Sequence, residues 1–326
     1  MDVLGIDLAQ LSFDATLLQQ TGSSHYAAFP NTPEGFEQLA TWLREHTVSS
    51  LHACMEATNI YWQALASWLH AQDYSVSVVN PSRIKGYAMA TMQRNKTDKL
   101  DSAIIASFCA KHQPTLWQPA SQEQQRLRAL TRHRDDLLQT QLQQQNRLRD
   151  TTDELVRASL ESLLKAIASQ LETVQEQITQ QLRAQESFQA NLALLTSIVG
   201  IGVVTAAKLL SEFAELDQYE SAKAAAADAG LTPSQYESGT SVRRRSKLSK
   251  MGKVGIRAAL YWPAITAMRR CPAIKAFAQR LAARGKPKMV IICAVMRKLV
   301  HICYGVLKHQ TPYDPAKAFG HTSPAT

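Results

Sequence analysis

Apolar and polar positions recur along the chain in three regimes. Over the first 115 or so residues, Val3 to Leu8, Phe13 to Gln19 and Ser24 to Phe29 predict three short strands joined by tight polar turns, the second marked by Thr21-Gly22. Thr32-Pro33-Glu34 opens an amphipathic helix with proline at its first helical position. Leu51 to Glu56 is a fourth strand, Tyr61 to Ala71 a second helix and Ser75 to Val79 a fifth strand. Pro81 and Asn95 to Thr97 punctuate the next stretch, and Thr97 opens a helix running to His112. From Ala120 to Val199 there is neither Gly nor Pro, and this stretch is helical. In its second half Leu160, Leu164, Ile167, Leu171, Val174 and Ile178 follow coiled-coil spacing. The first half carries Leu127, Leu130, Leu137, Leu148 and Leu155 with polar interruptions. A single helix of that length would span about 120 Å at ~1.5 Å per residue. A hairpin is therefore expected, breaking near Ser159, which can cap the second helix. A long helix packed on the body of the protein suits either half taken alone equally well. The last regime begins with Ile198-Val199-Gly200-Ile201-Gly202 before a helix from Val203 to Phe213. After Leu231-Thr232-Pro233 it continues as a polar loop and then further helices.

The strand and helix order of the first part, three strands followed by alternating helix and strand, is that of the ribonuclease H fold. In that fold the first and fourth strands lie side by side and a late helix packs over their ends. Asp7, Glu56, Asp98 and Asp101 would then converge. Asp101 falls three residues after Asp98, so both carboxylates leave one face of the helix's first turn. Four such carboxylates suit hard divalent cations, which take oxygen ligands and clamp the attacking and leaving oxygens of a phosphoryl transfer. Clustered carboxylates also need a cation to stay ionised. Each acid has an ordinary explanation as well: Asp7 as a strand end, Glu56 as a half-exposed polar residue, Asp98 and Asp101 as partners of a helix dipole.

Charge is strongly segregated. Up to Glu237 there are 18 Lys and Arg against 26 Asp and Glu, a balance of −8; from Ser238 onward 18 basic residues face one acid, Asp314, a balance of +17. A polyanion, and among polyanions a nucleic acid, is the expected partner; a merely solvated surface normally mixes signs. Arg257, Arg269, Arg270, Lys275, Arg280, Arg284, Arg297 and Lys298 would neutralise phosphates. Five cysteines without C-x-x-C spacing read as reduced core residues, and the histidine spacing suggests no zinc site. No basic leader opens the sequence, and the longest apolar run, Met289 to Met296, is well short of the roughly 20 residues a bilayer needs. A soluble cytoplasmic protein with no membrane partner is expected.

Between Pro233 and Lys250, Tyr236, Ser238, Ser241, Ser246 and Ser249 are interleaved with Arg243, Arg244, Arg245 and Lys247. A hydroxyl there could attack a phosphodiester, or the serines could simply donate hydrogen bonds within a phosphate-binding loop; spacing alone leaves both open. Gly200 and Gly202 expose backbone N–H groups at a helix start, as in helix-hairpin-helix modules that grip a DNA phosphate. An ordinary glycine helix stop accounts for the same letters.

These residues together carry a signature. Gly5-Ile6-Asp7, Glu56-Ala57-Thr58, Asn95-Lys96-Thr97-Asp98-Lys99-Leu100-Asp101, Ile198 to Gly202, Gly230-Leu231-Thr232-Pro233, Tyr236-Glu237-Ser238-Gly239 and Met296-Arg297-Lys298-Leu299 span nearly the whole chain. The chain closely resembles the DEDD transposases of bacterial insertion sequences, relatives of Piv-type DNA invertases. The resemblance implies an α/β plus all-α protein of three parts. These are a RuvC-like, RNase H-fold domain over 1–118 with an acidic metal site, a coiled-coil helical arm over 119–192, and a basic, mainly helical transposase domain over 193–326. It implies Mg2+ at Asp7, Glu56, Asp98 and Asp101 and a serine nucleophile at Ser238. Nucleic acid would be held by Gly200, Gly202, Arg243, Arg244, Arg245, Lys247 and Lys250. It further implies a structured guide, or bridge, RNA that pairs with donor and target double-stranded DNA. A homodimer would assemble into a tetramer at synapsis, in the bacterial cytoplasm and associated with the nucleoid. Asn59 stands where that family usually has glycine, and Asn tolerates the same left-handed backbone. Two other functions fit the residues: a Mg2+-dependent Holliday-junction-type nuclease in which water attacks, and a non-catalytic nucleic-acid-binding scaffold.

Overall fold

The computed structural model describes residues 1–92, 97–213, 219–238, 242–249 and 251–319, and for 235–246 the backbone alone. The chain divides into two compact units, Met1–Pro119 and Ala120–Thr326.

The first unit is mixed α/β. Strands β1 (Asp2–Leu8), β2 (Ser12–Leu18) and β3 (Ser24–Pro30) form an antiparallel meander; α1 (Pro33–Glu45), β4 (Leu51–Glu56), α2 (Trp62–Ala71), β5 (Ser75–Val79), α3 (Pro81–Ala90) and α4 (Asp98–His112) come after it. The sheet runs β3-β2-β1-β4-β5, with β4 parallel to both β1 and β5. This is the ribonuclease H-like arrangement. Its two faces arise from strand alternation. One face buries Leu4, Ile6, Ala53 and Met55 against α1 and α2 through Phe36, Leu39, Leu65 and Leu69, and the other buries Val3, Cys54 and Val79 against Ile84, Ile105, Ala106 and Cys109 of α3 and α4. Helix α3 is an addition to the expected order: Pro81 begins it rather than interrupting the chain, because Asn80 caps it by accepting from the Ser82 amide.

Gly5 explains how closely α4 lies on β1. A Cβ there would sit 2.2 Å from both the Ala106 amide nitrogen and the Ser102 carbonyl oxygen, backbone atoms that cannot step aside. Beside it the Thr16 and Ser102 hydroxyls hydrogen-bond at 2.8 Å. Gly5→Ala should therefore cost about 3 kcal/mol by overpacking, visible as a lowered urea midpoint; an unchanged midpoint would mean the helix is not held this closely.

The second unit is largely helical. It contains α5 (Gln122–Asp150), α6 (Glu154–Ala184), α7 (Glu186–Thr196), α8 (Val203–Glu212), α9 (Ala222–Asp228), β6 (Pro233–Ser238), β7 (Val242–Leu248), α10 (Val254–Arg270), α11 (Pro272–Ala283), α12 (Lys288–His309) and α13 (Pro315–Phe319). Helices α5 and α6 pair as a hairpin. The break falls at Thr151–Asp153, not near Ser159. Asp153 accepts from the Val156 amide, while Arg157 donates to the Leu148 and Thr151 carbonyls across the turn. Leu160, Ile167, Val174 and Ile178 are buried in the hairpin seam, but Leu155, one of the expected seam residues, is 83% exposed at its tip. The base of α5 instead docks on the body. Leu127 is fully buried, Arg128 donates to the Ser211 carbonyl at 3.0 Å, and Arg132 pairs with the buried Glu212 at 3.3 Å. Both readings of the helical arm thus apply, each to a different part of it.

The stretch after Pro233, expected as a polar loop, is a two-stranded antiparallel ribbon in which Tyr236 pairs with Arg244, Glu237 with Arg243 and Ser238 with Val242. Helix α12 is long and apolar enough by length and composition to cross a bilayer. Its apolar run exceeds what short uninterrupted stretches suggest because Arg297 and Lys298 lie inside it. Ile292, Val295, Leu299, Val300 and Cys303 are nevertheless buried in the core of this unit, as expected of a helix at the centre of a folded body. All five cysteines are free, and four are buried.

Candidate metal centre and nucleic-acid surface

Asp7 lies near the carboxyl end of β1, two residues beyond Gly5 and hence on the sheet face that carries α4. Thr97 caps α4, its hydroxyl accepting from the Leu100 amide at 3.3 Å, so Asp98 and Asp101 fall in the helix's first turn. One carboxylate oxygen each from Asp7, Asp98 and Asp101 lies within 4.8 Å of the others. Asp7 and Asp101 are half-buried and Asp98 is exposed. Three hard oxygen donors at this spacing, accessible from one side, fit a divalent cation such as Mg2+. Glu56 lies outside this group of three. It ends β4 where the Ile6–Met55 pairing places it beside Asp7, on the α4 face shared with Cys54. The chain turns immediately afterwards, and Asn59 adopts φ 51°, the left-handed conformation anticipated for it.

Another carboxylate stands at this end of the sheet. Asp14 is the direct cross-strand partner of Asp7 and accepts a hydrogen bond from the Tyr26 hydroxyl. The Lys99 ammonium lies 5.2 Å from the centre of the Tyr26 ring. The hydrogen bond to Asp14, then burial and the charges of Asp14 and Asp98, push the Tyr26 phenol up to about 12. Asp14 is not among the residues singled out by spacing. The tight turn between β1 and β2, closed by the Ala9 amide donating to Ser12, is the signal that pairs it with Asp7.

Of the nucleic-acid candidates, Gly200 has φ 99°, and a Cβ there would sit 2.7 Å from the Pro263 carbonyl oxygen of α10, so packing by itself accounts for glycine at this position. Gly202 faces open space just before α8. Ser238 ends β6; Arg243, Arg244, Arg245 and Lys247 lie on β7, with Lys247 exposed. Ser241 and Lys250 lie outside the described residues. Arg269, Arg270, Lys275, Arg280 and Arg284 are exposed on and after α10 and α11. Arg257 is used within the fold, where it donates to the Ala229 and Gly252 carbonyls at 3.0 and 3.3 Å. Lys298 likewise donates to the Ala318 carbonyl at 2.6 Å.

A ribonuclease H-like sheet with a carboxylate cluster at its strand ends, in a chain whose other unit is helical and basic, defines a class of DNA-processing enzymes. Residues 4–156 match a DEDD transposase family model of the IS110 kind, and residues 192–279 match the model of the transposase IS116/IS110/IS902 family. The chain is 33% identical over 314 residues to the pilin gene-inverting proteins of Moraxella bovis and Moraxella lacunata, covering 95% of this chain and 97% of each of those proteins. It is 22% identical to the transposase for insertion sequence element IS1328 of Yersinia enterocolitica, over 96% of this chain and 98% of that one. The chain belongs to the IS110/IS116/IS902 transposase family. It is a transposase or recombinase whose acidic cluster is suited to a divalent metal ion.

Proposed function

We propose that the protein is an Mg2+-dependent DNA recombinase that cuts and rejoins donor and target DNA under the direction of a structured guide RNA. The observation that carries the metal-dependent DNA chemistry in this reading is the convergence of Asp7, Asp98 and Asp101 to within 4.8 Å in a member of a transposase family; the guide RNA rests on the motif resemblance alone. Asp7, Asp98 and Asp101 would hold Mg2+, with Glu56 reaching in from the neighbouring strand. Bound there, the ion would neutralise the carboxylates and stabilise charge developing on the scissile phosphate.

Ser238 is the proposed nucleophile. Its Oγ forms a bond to phosphorus as the phosphorus–O3′ bond breaks; the hydroxyl proton is lost and the departing oxygen gains one, leaving a phosphoserine and a free 3′-hydroxyl. Rejoining reverses these steps. Arg243, Arg244, Arg245, Lys247 and Lys250 are proposed to hold the phosphate and its neighbours, and Gly202, with Gly200, to offer backbone amides at the start of α8. In this scheme residues 1–118 supply the carboxylates, the arm over 119–192 supports assembly into dimers and tetramers, and 193–326 supplies nucleophile and phosphate contacts. A serine of one subunit would complete the acidic site of another. The protein would work in the bacterial cytoplasm, at the nucleoid.

One feature favours a second reading, a junction-type nuclease in which water attacks. The three clustered carboxylates come from a single unit, and an ion held there could activate water without any help from Ser238. To test the main reading, RNA that co-purifies with the protein is sequenced, and cleavage of plasmids matching its loops is measured with Mg2+ and with EDTA. A discrete RNA and EDTA-sensitive cleavage of matching plasmids alone are expected. Equal cleavage by RNA-free protein would remove the guide, and cleavage in EDTA would remove the metal.

A further inference from the structure

We infer that Asp14, Tyr26 and Lys99 form a brace that seats the first turn of α4, and with it Asp98 and Asp101, against Asp7. The inference rests on reading the three carboxylates as a divalent-cation site. Helix α4 is fixed to the sheet from Ser102 onward, by the Thr16–Ser102 hydrogen bond and by the close approach of its backbone to Gly5. Asp98 and Asp101 both precede that anchor. Thr97, Asp98 and Lys99 are exposed and Leu100 and Asp101 are half-buried, so burial holds this turn only in part. Charge works against it, because two carboxylates on the turn face a third on β1, and like charges at this range repel.

Among the described residues, Lys99 makes a contact from this turn to the sheet that does not involve the clustered carboxylates. Its ammonium lies over the Tyr26 ring at 5.2 Å, and Tyr26 is tied through its hydroxyl to Asp14, the residue directly opposite Asp7. A cation–π contact stabilises a lysine that also sits between the two acids of its own turn. Tyr26 is 40% exposed, so its position is not explained by packing into a core. Asp14 has one oxygen engaged by Tyr26, and it acts on the cluster through that ring rather than as a ligand. Outer partners of this kind fix the position of metal-binding groups. Asp14, Tyr26 and Lys99 are positioning residues.

The test measures Mn2+ affinity of the full-length protein by calorimetry and by electron paramagnetic resonance, with thermal melting as a control. Tyr26→Phe keeps the ring but loses the hydroxyl, and Asp14→Ala loses the acceptor; each should weaken Mn2+ binding about tenfold. Asp14→Asn retains an oxygen that can accept from Tyr26 and should stay close to wild type. Lys99→Met should weaken binding as Tyr26→Phe does. Unchanged Mn2+ affinity in Tyr26→Phe and Asp14→Ala, with or without a shift in melting, overturns the brace. Asp14→Asn falling as far as Asp14→Ala overturns it in favour of Asp14 as a direct ligand. If the wild-type protein shows no Mn2+ site that Asp7→Asn removes, the metal reading fails and the brace with it; a wild-type site left intact by Tyr26→Phe and Asp14→Ala sinks the brace alone.

Discussion

Asp7→Asn is expected to reduce metal-dependent DNA strand cleavage about a thousandfold, which corresponds to about 4 kcal/mol of lost transition-state stabilisation. Asp7 is the cluster member fixed by the sheet, its neighbour Ile6 being paired to Ala15 on one side and to Met55 on the other. Asn keeps the shape of the side chain and loses the charge that would hold a divalent ion. The fold should hold, because Asn keeps the size of the side chain and a hydrogen-bonding oxygen while removing one of the neighbouring charges relieves repulsion. A metal-free melting midpoint no lower than wild type is therefore expected. DNA affinity measured in EDTA should also be unchanged, since the exposed cations of α10 and α11 lie in a different unit. Cleavage at the wild-type rate would show that the carboxylate cluster does no chemistry.

Ser238→Ala separates the two readings of the nucleophile. If the hydroxyl attacks, wild-type protein trapped on a nicked or suicide substrate gives a band of covalently linked protein and DNA on denaturing gels, and the variant gives none. Strand cleavage should vanish with the adduct. If water attacks, the variant cleaves as wild type does and neither protein forms an adduct. A persisting adduct in the variant would move the nucleophile to another hydroxyl, with Tyr236 and Ser246 the first to replace on the same ribbon.

Much of the first unit is legible from letter patterns, for reasons visible in particular residues. Strands β1 to β5 coincide with the five apolar runs, and the Thr32 and Thr97 caps mark helix starts that coincide with those expected. The convergence of Asp7 and the Asp98 pair comes from strand order, since a parallel β1–β4 pair with α4 across it brings them together. What letters alone do not reveal is cross-strand register. Asp14 reads as one polar residue among several until its pairing with Asp7 is known. The ribbon of β6 and β7 is hidden because Arg243-Arg244-Arg245 has the composition of a solvated loop, and a two-stranded ribbon needs no buried face to betray itself. The misplaced break in the helical arm has a similar cause. Ser159 and Asp153 are both capable caps, and the choice falls to Arg157, whose bonds to carbonyls on the far side of the turn cannot be seen in a linear pattern. Arg257 and Lys298 read as free cations for the same reason, their partners being carbonyls distant in sequence.

The turn at Thr151–Asp153 leaves helices of 29 and 31 residues on either side, which is close to equal. At ~1.5 Å per residue each reaches about 45 Å, and it is the base of α5 that α8 engages. Matched lengths make the outer hairpin modular. Excising one heptad from α5 together with the facing heptad of α6 preserves the seam and the Arg132–Glu212 anchor while drawing the tip in by about 10 Å. Paired deletions or insertions should thus change the reach of this element without disturbing the body that carries it.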